Sequence, residues 1–401
     1  MQTRVLAVLF LSMFAAMLGI GLVSPLLPVF ADEMGATGIW LGLIWSGFSI
    51  SSAVLTPIVG RLSDRKGRKG FIMVGLAVFM VAAVGYALST SYYELVLFRV
   101  ISGIGAAMVV PVAMAYMGDI SPDGQEGRYM GLFNTAMWSG FGAGPLIGGV
   151  LKDYTGMDST FYGMLGMSAV ALVVVLLLLP DRKAEPLRED DPAVGVPYGV
   201  IMQNDVMRGL MTYQVVWALG SGSIIAFVSI YMKDNFGSST SAIGLAIGAR
   251  VLLAAVLQTP FGRLADRFNR ISLVTIGGLA SAVGTFAVPF TQSYAQLLLL
   301  FVIVGLWENL ASPALSAITV DEGRAYGMGS VMGVFNTAMP VGILVGSVVA
   351  GGITDWLGVD FVFLYAGLAA LAGLSLFLLF TRRASRQRQA LVGVSYQEVG
   401  D

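Results

Sequence analysis

No cysteine and no histidine occur anywhere in the 401 residues, and only 12% of the residues are charged. Without cysteine there are no disulfides and no thiolate metal sites. Without histidine, a proton moved near neutral pH must ride on a carboxylate, because no imidazole is available. A soluble domain normally carries about 25% charged residues, and charges this sparse cannot cover a water-facing surface. The net charge of −1, with no basic patch outside the loops that flank apolar runs, points away from nucleic acid. No metal-ligand cluster, no nucleophile–base pair and no soluble domain stands out. Neither an enzyme nor a cofactor or metal is expected.

What is present is apolar. Such residues make up 56% of the chain and fall in long blocks, such as VLAVLFLSMFAAMLGIGLV from Val5 and SAVALVVVLLLLP from Ser168. About 20 apolar residues cross the hydrocarbon core as a helix, so the chain is expected to be an integral membrane protein of the all-α class with the lipid bilayer as its solvent. The 51 glycines fit that setting. In lipid, small residues let helix backbones approach closely, and a helix does not unwind because its amides have no other partner.

The pattern predicts twelve spans, at roughly 5–30, 38–60, 71–89, 93–118, 128–151, 160–180, 207–232, 240–262, 271–290, 294–319, 327–350 and 359–381. The first is read as a span and not a signal peptide, because no small-x-small cleavage site precedes Asp32. Placing the N-terminus in the cytoplasm puts 19 of the 23 Lys and Arg on the cytoplasmic side and leaves only Lys152 and Lys233 outside. That bias predicts both termini inside and a multi-pass protein of the plasma (inner) membrane. The charged, proline-containing stretch DRKAEPLREDDPAVGVPYG from Asp181 reads as a linker. The expected organisation is a six-helix bundle over 1–180, a cytoplasmic linker over 181–206, a second six-helix bundle over 207–381 and a polar cytoplasmic tail over 382–401.

GLFNTAM, Gly131 to Met137, returns as GVFNTAM, Gly333 to Met339, 202 positions later. The same offset matches Gly60 with Gly262, Asp64 with Asp266, Pro111 with Pro313, Asp119 with Asp321, Gly140 with Gly342, Gly144 with Gly346 and Asp153 with Asp355. It also aligns SYYELVLF from Ser91 with SYAQLLLL from Ser293. Because each half holds an even number of spans, both halves enter the membrane in the same sense, as parallel repeats about an axis along the membrane normal.

Between spans two and three stands GRLSDRKGRK, with Gly60, Leu62, Asp64, Arg65, Gly67, Arg68 and Lys69. It resembles the G-x-L-a-D-r-x-G-r-k signature of the major facilitator superfamily. The resemblance extends over the whole chain and implies the major facilitator fold, two bundles rocking around a midplane site. The second copy, GRLADRFNR, keeps Gly262, Asp266, Arg267 and Arg270 but has Asn269 where glycine would stand. Asn is the next-best residue for a left-handed turn, so the same turn is expected there. Asp64 is expected to meet the positive N-terminus of a helix of the other bundle while Arg68 bonds Asp119, with Asp266, Arg270 and Asp321 as the second relay. Together these would form a latch on the cytoplasmic side.

Span five carries Gly131, Gly140, Gly144, Pro145, Gly148 and Gly149, spaced as g-x8-G-x3-G-P-x2-G-G. This resembles the antiporter motif of the twelve-span drug–proton antiporter branch. The spaced glycines flatten one helix face for close packing, and Pro145 removes a backbone bond and kinks the span. GLVSPLLPVF from Gly21 and FRVISGIGAA from Phe98 resemble two further signatures of that branch.

Three ionisable residues lie inside spans: Arg99, Arg250 and Glu308. Such groups are costly in lipid and are functional candidates. From the outer ends of their spans they sit roughly 9, 15 and 21 Å deep at 1.5 Å per residue. Glu308 is the one carboxylate well inside a span, and resemblance places span ten on the central cavity. Two roles stand open: Glu308 carries the coupling proton, or Arg250 holds it in a static pair. Members of the branch with an acidic residue in span one exist, but this span one has none. The expected cavity side chains are Met17, Ser24, Met108, Tyr213, Gln214, Trp217, Trp307 and Asn309, aromatic and sulfur surfaces that suit lipophilic ligands. Any one of them could equally be a helix-packing residue.

The function implied is a monomeric antiporter that exchanges protons for lipophilic or amphipathic small molecules, exporting them by alternating access. Export of one specific metabolite, with Arg99 and Arg250 binding an anionic group, or uncoupled facilitation, are the alternatives.

Overall fold

The computed structural model describes residues 2–122, 125–181, 198–326 and 328–398. It is helical throughout the described residues. The helices are α1 (Gln2–Val23), α2 (Leu27–Glu33), α3 (Gly38–Lys66), α4 (Arg68–Leu88), α5 (Tyr92–Ile120), α6 (Glu126–Thr155) and α7 (Met157–Leu178). They continue with α8 (Tyr198–Ile201), α9 (Asp205–Phe236), α10 (Thr240–Arg267), α11 (Arg270–Ala287), α12 (Tyr294–Tyr326), α13 (Met328–Leu357) and α14 (Asp360–Glu398). Span one is split into α1 and α2 by a turn at Ser24, Pro25 and Leu26, because proline lacks the amide that would continue the ladder. The helix of span twelve does not stop near Thr381. It runs on to Glu398.

Eleven segments among the described residues are long and apolar enough to cross a membrane. The helix that falls short is α6, although it is 30 residues long. Its glycines, with Asn134, Thr135 and Ser139, dilute its apolar content. It is nonetheless packed tightly between α1 and α10, so protein and not lipid surrounds much of it.

The internal repeat governs the packing. In the first set of helices α1 packs on α6 and α7, α5 on α3 and α4, and α4 on α7. In the second set α9 packs on α13 and α14, α12 on α10 and α11, and α11 on α14. These are the same five contacts, displaced by one repeat. The two most extensive contacts that join the sets, α6 with α10 and α3 with α13, are also repeat mates. Gly156 and Gly358, 202 apart, turn the chain after α6 and α13 with φ of 89° and 100°, a conformation glycine adopts freely.

Asn269 breaks this symmetry. Gly67 has φ 95°, but Asn269 has φ −62°. The left-handed turn expected there is absent, and the Asn269 side chain instead accepts the Ser272 amide at 3.1 Å, capping α11. A cap satisfies a free helix amide, which outweighs the tolerance of Asn for positive φ.

The two sets do not meet evenly along their length. At the end opposite the signature loop (the distal end), a single apolar core runs from Leu22, Val23 and Leu26 into Ile224, Phe227 and Tyr231 of α9. At the signature end the second set has a separate cluster around Met207, Leu210, Leu273 and Phe377. Among the described residues nine hydrogen bonds, one of them within an ion pair, join the two sets in the distal half. Near the signature end, Gly60, Gly131 and Gly262 have open space where a Cβ would be. The bonded contacts between the sets thus close the distal end.

Candidate transport pathway and its charged groups

Arg250 and Glu308 are brought together by the packing of α10 on α12. Arg250 donates from Nη2 at 2.5 Å and from Nε at 3.2 Å, both to Oε2 of Glu308. Oε1 accepts no bond from a described residue. The side chains are 16% and 15% exposed, so the charges are largely removed from water, where an unpaired one would be costly. Gly305, one turn before Glu308, leaves the room that the Arg250 stem fills. Glu308 also lines a small pocket with Tyr213, Trp217, Gly278, Ser281 and Ala370.

Arg99 has no carboxylate partner among the described residues, though it is only 2% exposed. Its Nη1 donates to Ser24 Oγ at 2.9 Å, at the break in span one. The guanidinium lies 4.7 Å from the Trp45 ring centroid and 4.9 Å from that of Phe48. The negative ring faces stabilise the cation in place of a counter-ion. Arg250 likewise lies 5.8 Å from the Phe301 ring. Arg99 is the repeat mate of Phe301, and Phe48 of Arg250. Both sets thus hold an arginine over a phenylalanine, with the two partners exchanged. Position 48 corresponds to position 250 at the 202 offset, which is the sequence signal for Phe48, whereas Trp45, opposite Ile247, has none.

The cavity candidates divide. Tyr213 and Trp217 share the pocket with Glu308. Met17 is buried where α1 meets Gly140, Ser24 serves Arg99, and Met108 packs beside Gly75 of α4. Gln214 and Trp307 are half-buried, the Trp307 carbonyl facing Gly277 of α11. Asn309 donates to the Gly305 carbonyl of its own helix at 2.7 Å.

At the signature, Arg68 is buried between two carboxylates. It lies 3.2 Å from Asp64 and bonds Asp119 through Nη2 at 3.0 Å, with Nε 2.6 Å from the other oxygen. A planar guanidinium suits such a fork. Arg65 is exposed. Asp64 is 43% exposed. Among the described residues its charged partner is Arg68, and no bond to a helix N-terminus of the other set is seen there. In the second copy Arg270 bonds Asp321, and the Asp266 side chain lies outside the described residues.

The motif on α6 faces two ways. Gly140, Gly144 and Gly148 abut the α1 backbone at Phe14 to Leu22, within the same set, while Gly149 abuts Thr240 and Ser241 of α10. Gly131 has open space around it, so the close packing expected of the spaced glycines does not extend to this one. The Pro145 carbonyl lies where Gly244 of α10 has no side chain. Its repeat mate Ser347 instead shares a 2.8 Å hydroxyl bond with Ser46 of α3.

An all-helical membrane bundle built from two repeats, with paired signatures at one end, defines a transporter of a known class. A sequence profile described as Major Facilitator Superfamily matches residues 9–218 and again 210–394. The chain belongs to that family, whose members are transporters and not enzymes. It is similar to an uncharacterized MFS-type transporter of Methanocaldococcus jannaschii, 28% identical over 369 residues, covering 91% of this chain and 95% of that one. It is also similar to the quinolone resistance protein NorA of Staphylococcus aureus, 28% identical over 354 residues, covering 87% and 89%. Among solved structures, the nucleoside transporter NupG shares the fold, with a TM-score of 0.80 at 14% identity over 94% of this chain and 99% of that one.

Proposed function

We propose that the chain is a proton-coupled antiporter that exports lipophilic or amphipathic small molecules. The observation that carries this is the geometry at Glu308. Arg250 occupies only one of its oxygens, in a pocket shared with Tyr213 and Trp217. A proton on Glu308 removes the charge that Arg250 binds, so protonation and ion pairing exclude one another. In this reading the ion pair marks the deprotonated state, and the signature end, placed in the cytoplasm, is where substrate enters. Protons arriving from outside neutralise Glu308 and drive the return to this inward-facing state. The similarity to NorA, a quinolone resistance protein, supports export of drug-like compounds.

Export of one anionic metabolite is less well supported. Arg250 is engaged by Glu308 and Arg99 by Ser24 and two rings, so neither guanidinium is presented to a ligand in this state. Dye efflux from cells expressing the protein separates the two readings. Several chemically unrelated lipophilic compounds are expected to compete with the dye. Competition confined to one narrow chemical class would favour the specific exporter.

A further inference from the structure

Two carboxylates at the distal end reach across from one set of helices to the other. Asp153, at the end of α6, accepts the backbone amides of Thr240 at 3.1 Å and Ser241 at 2.7 Å, and the Ser241 hydroxyl. Those amides are the first of α10. Asp355, at the end of α13, accepts the amides of Gly38 and Ile39, the first of α3. Acceptors and donors are all 202 residues apart, 153 with 355, 38 with 240 and 39 with 241.

The contact is therefore one device written twice. In each copy a carboxylate sits on the positive end of a helix and satisfies amides that have no partner within that helix. Burial alone would push the Asp153 carboxyl up, but the bonds from Ser241 and Thr240 outweigh it and hold the group below the ordinary carboxylate value. Around the pair, Lys152 bonds Glu33 at 2.9 Å and Lys233 bonds Asp32 at 2.8 Å. Neither lysine is paired with Asp153 or Asp355 among the described residues. Beneath each clasp the backbones close up without side chains, Gly149 on Thr240 and Gly351 on Gly38.

We propose that Asp153 and Asp355 are twin clasps that hold the distal face shut, each capping a helix of the opposite set. The clasps exist only while the two sets touch there, so they stabilise the distal-closed state and must both release before the distal face opens. The inference rests on the reading of the chain as an alternating-access transporter, with the distal face outermost.

The absence of cysteine makes spin labelling direct. Tyr93→Cys and Ala295→Cys place labels at exposed repeat-mate positions at the distal starts of α5 and α12. Double electron–electron resonance between them reads distal opening with no transport required. Each of Asp153→Asn and Asp355→Asn is expected to lower the closed-to-open ratio about fivefold, and the double variant about 25-fold, as independent caps multiply. Thr240→Pro tests the same clasp from the donor side. Proline suits the first helical position, and Ser239 before it is already extended, with ψ 159°. It should shift the ratio in the wild-type background and add nothing once Asp153 is Asn. A distance distribution unchanged in the monodisperse double variant, or a full added effect of Thr240→Pro on Asp153→Asn, overturns the proposal. Distal opening in the variants without dye export by the wild type would leave the clasps standing and overturn the transport reading. Dye export with unmoved distances does the reverse.

Discussion

Gly144→Leu is expected to remove nearly all correctly assembled protein, whereas Gly131→Leu in the same motif leaves the yield unchanged. A Cβ at 144 would run into Gly21 and Leu22, and the atoms it meets are α1 backbone, which cannot rotate away. Overpacking a core costs about 1–3 kcal/mol even where side chains can adjust. Here α1 must move bodily, so the cost sits at or above the top of that range. A domain of ordinary stability holds only about 5–15 kcal/mol in total. At Gly131 a side chain enters open space. Size-exclusion profiles of fluorescent fusions in mild detergent read the difference. Equal yields for the two variants would mean that α6 does not rest on α1 as described.

The second large effect is at the buried ion pair. Glu308→Gln is expected to abolish transport driven by a pH gradient and to lower the melting temperature by several degrees. The stability loss follows because Arg250, 16% exposed, is left as a buried cation without its partner, which costs about 3–5 kcal/mol when a buried pair is broken from one side. Replacing both charges by apolar residues of similar size is often neutral. The double variant Arg250→Met with Glu308→Leu should therefore recover the melting temperature but not the transport. That split separates a proton carrier from a structural pair. Glu308→Gln protein that still pumps on a pH gradient excludes Glu308 as the essential carrier and leaves the pair a packing element.

Much of this architecture is legible in the residues themselves. Hydropathy blocks mark the spans because a membrane helix has no other way to satisfy its amides. The constant offset foretells that α6 and α13 occupy equivalent places in the two sets. Depth counting brings Arg250 within reach of Glu308, and the spacing of the signature puts Arg68 beside Asp119.

What was not legible depends on neighbours. Helical periodicity groups Gly140, Gly144 and Gly148 on one face, but it does not say that this face meets α1 while Gly149 meets α10. Propensity allowed Asn269 a left-handed turn, and a capping bond to Ser272 took precedence. Asp153 and Asp355 were visible as repeat mates. Their chemistry appears only when the first turns of α10 and α3 are placed against them. Arg99 stands out in the sequence as a charge inside a span. Its cage of Trp45 and Phe48 comes from the packing of α3 on α5.

In the proposed antiport, proton movement and substrate movement are coupled in opposite directions. Purified protein in liposomes, loaded with a fluorescent lipophilic substrate at equal concentration on both sides and given only a pH gradient, tests it most directly. Substrate is expected to accumulate on the acidic side, against its own growing gradient, and reversing the pH gradient is expected to reverse the direction. Substrate that stays at equal concentration under either gradient would contradict coupling and leave an uncoupled facilitator.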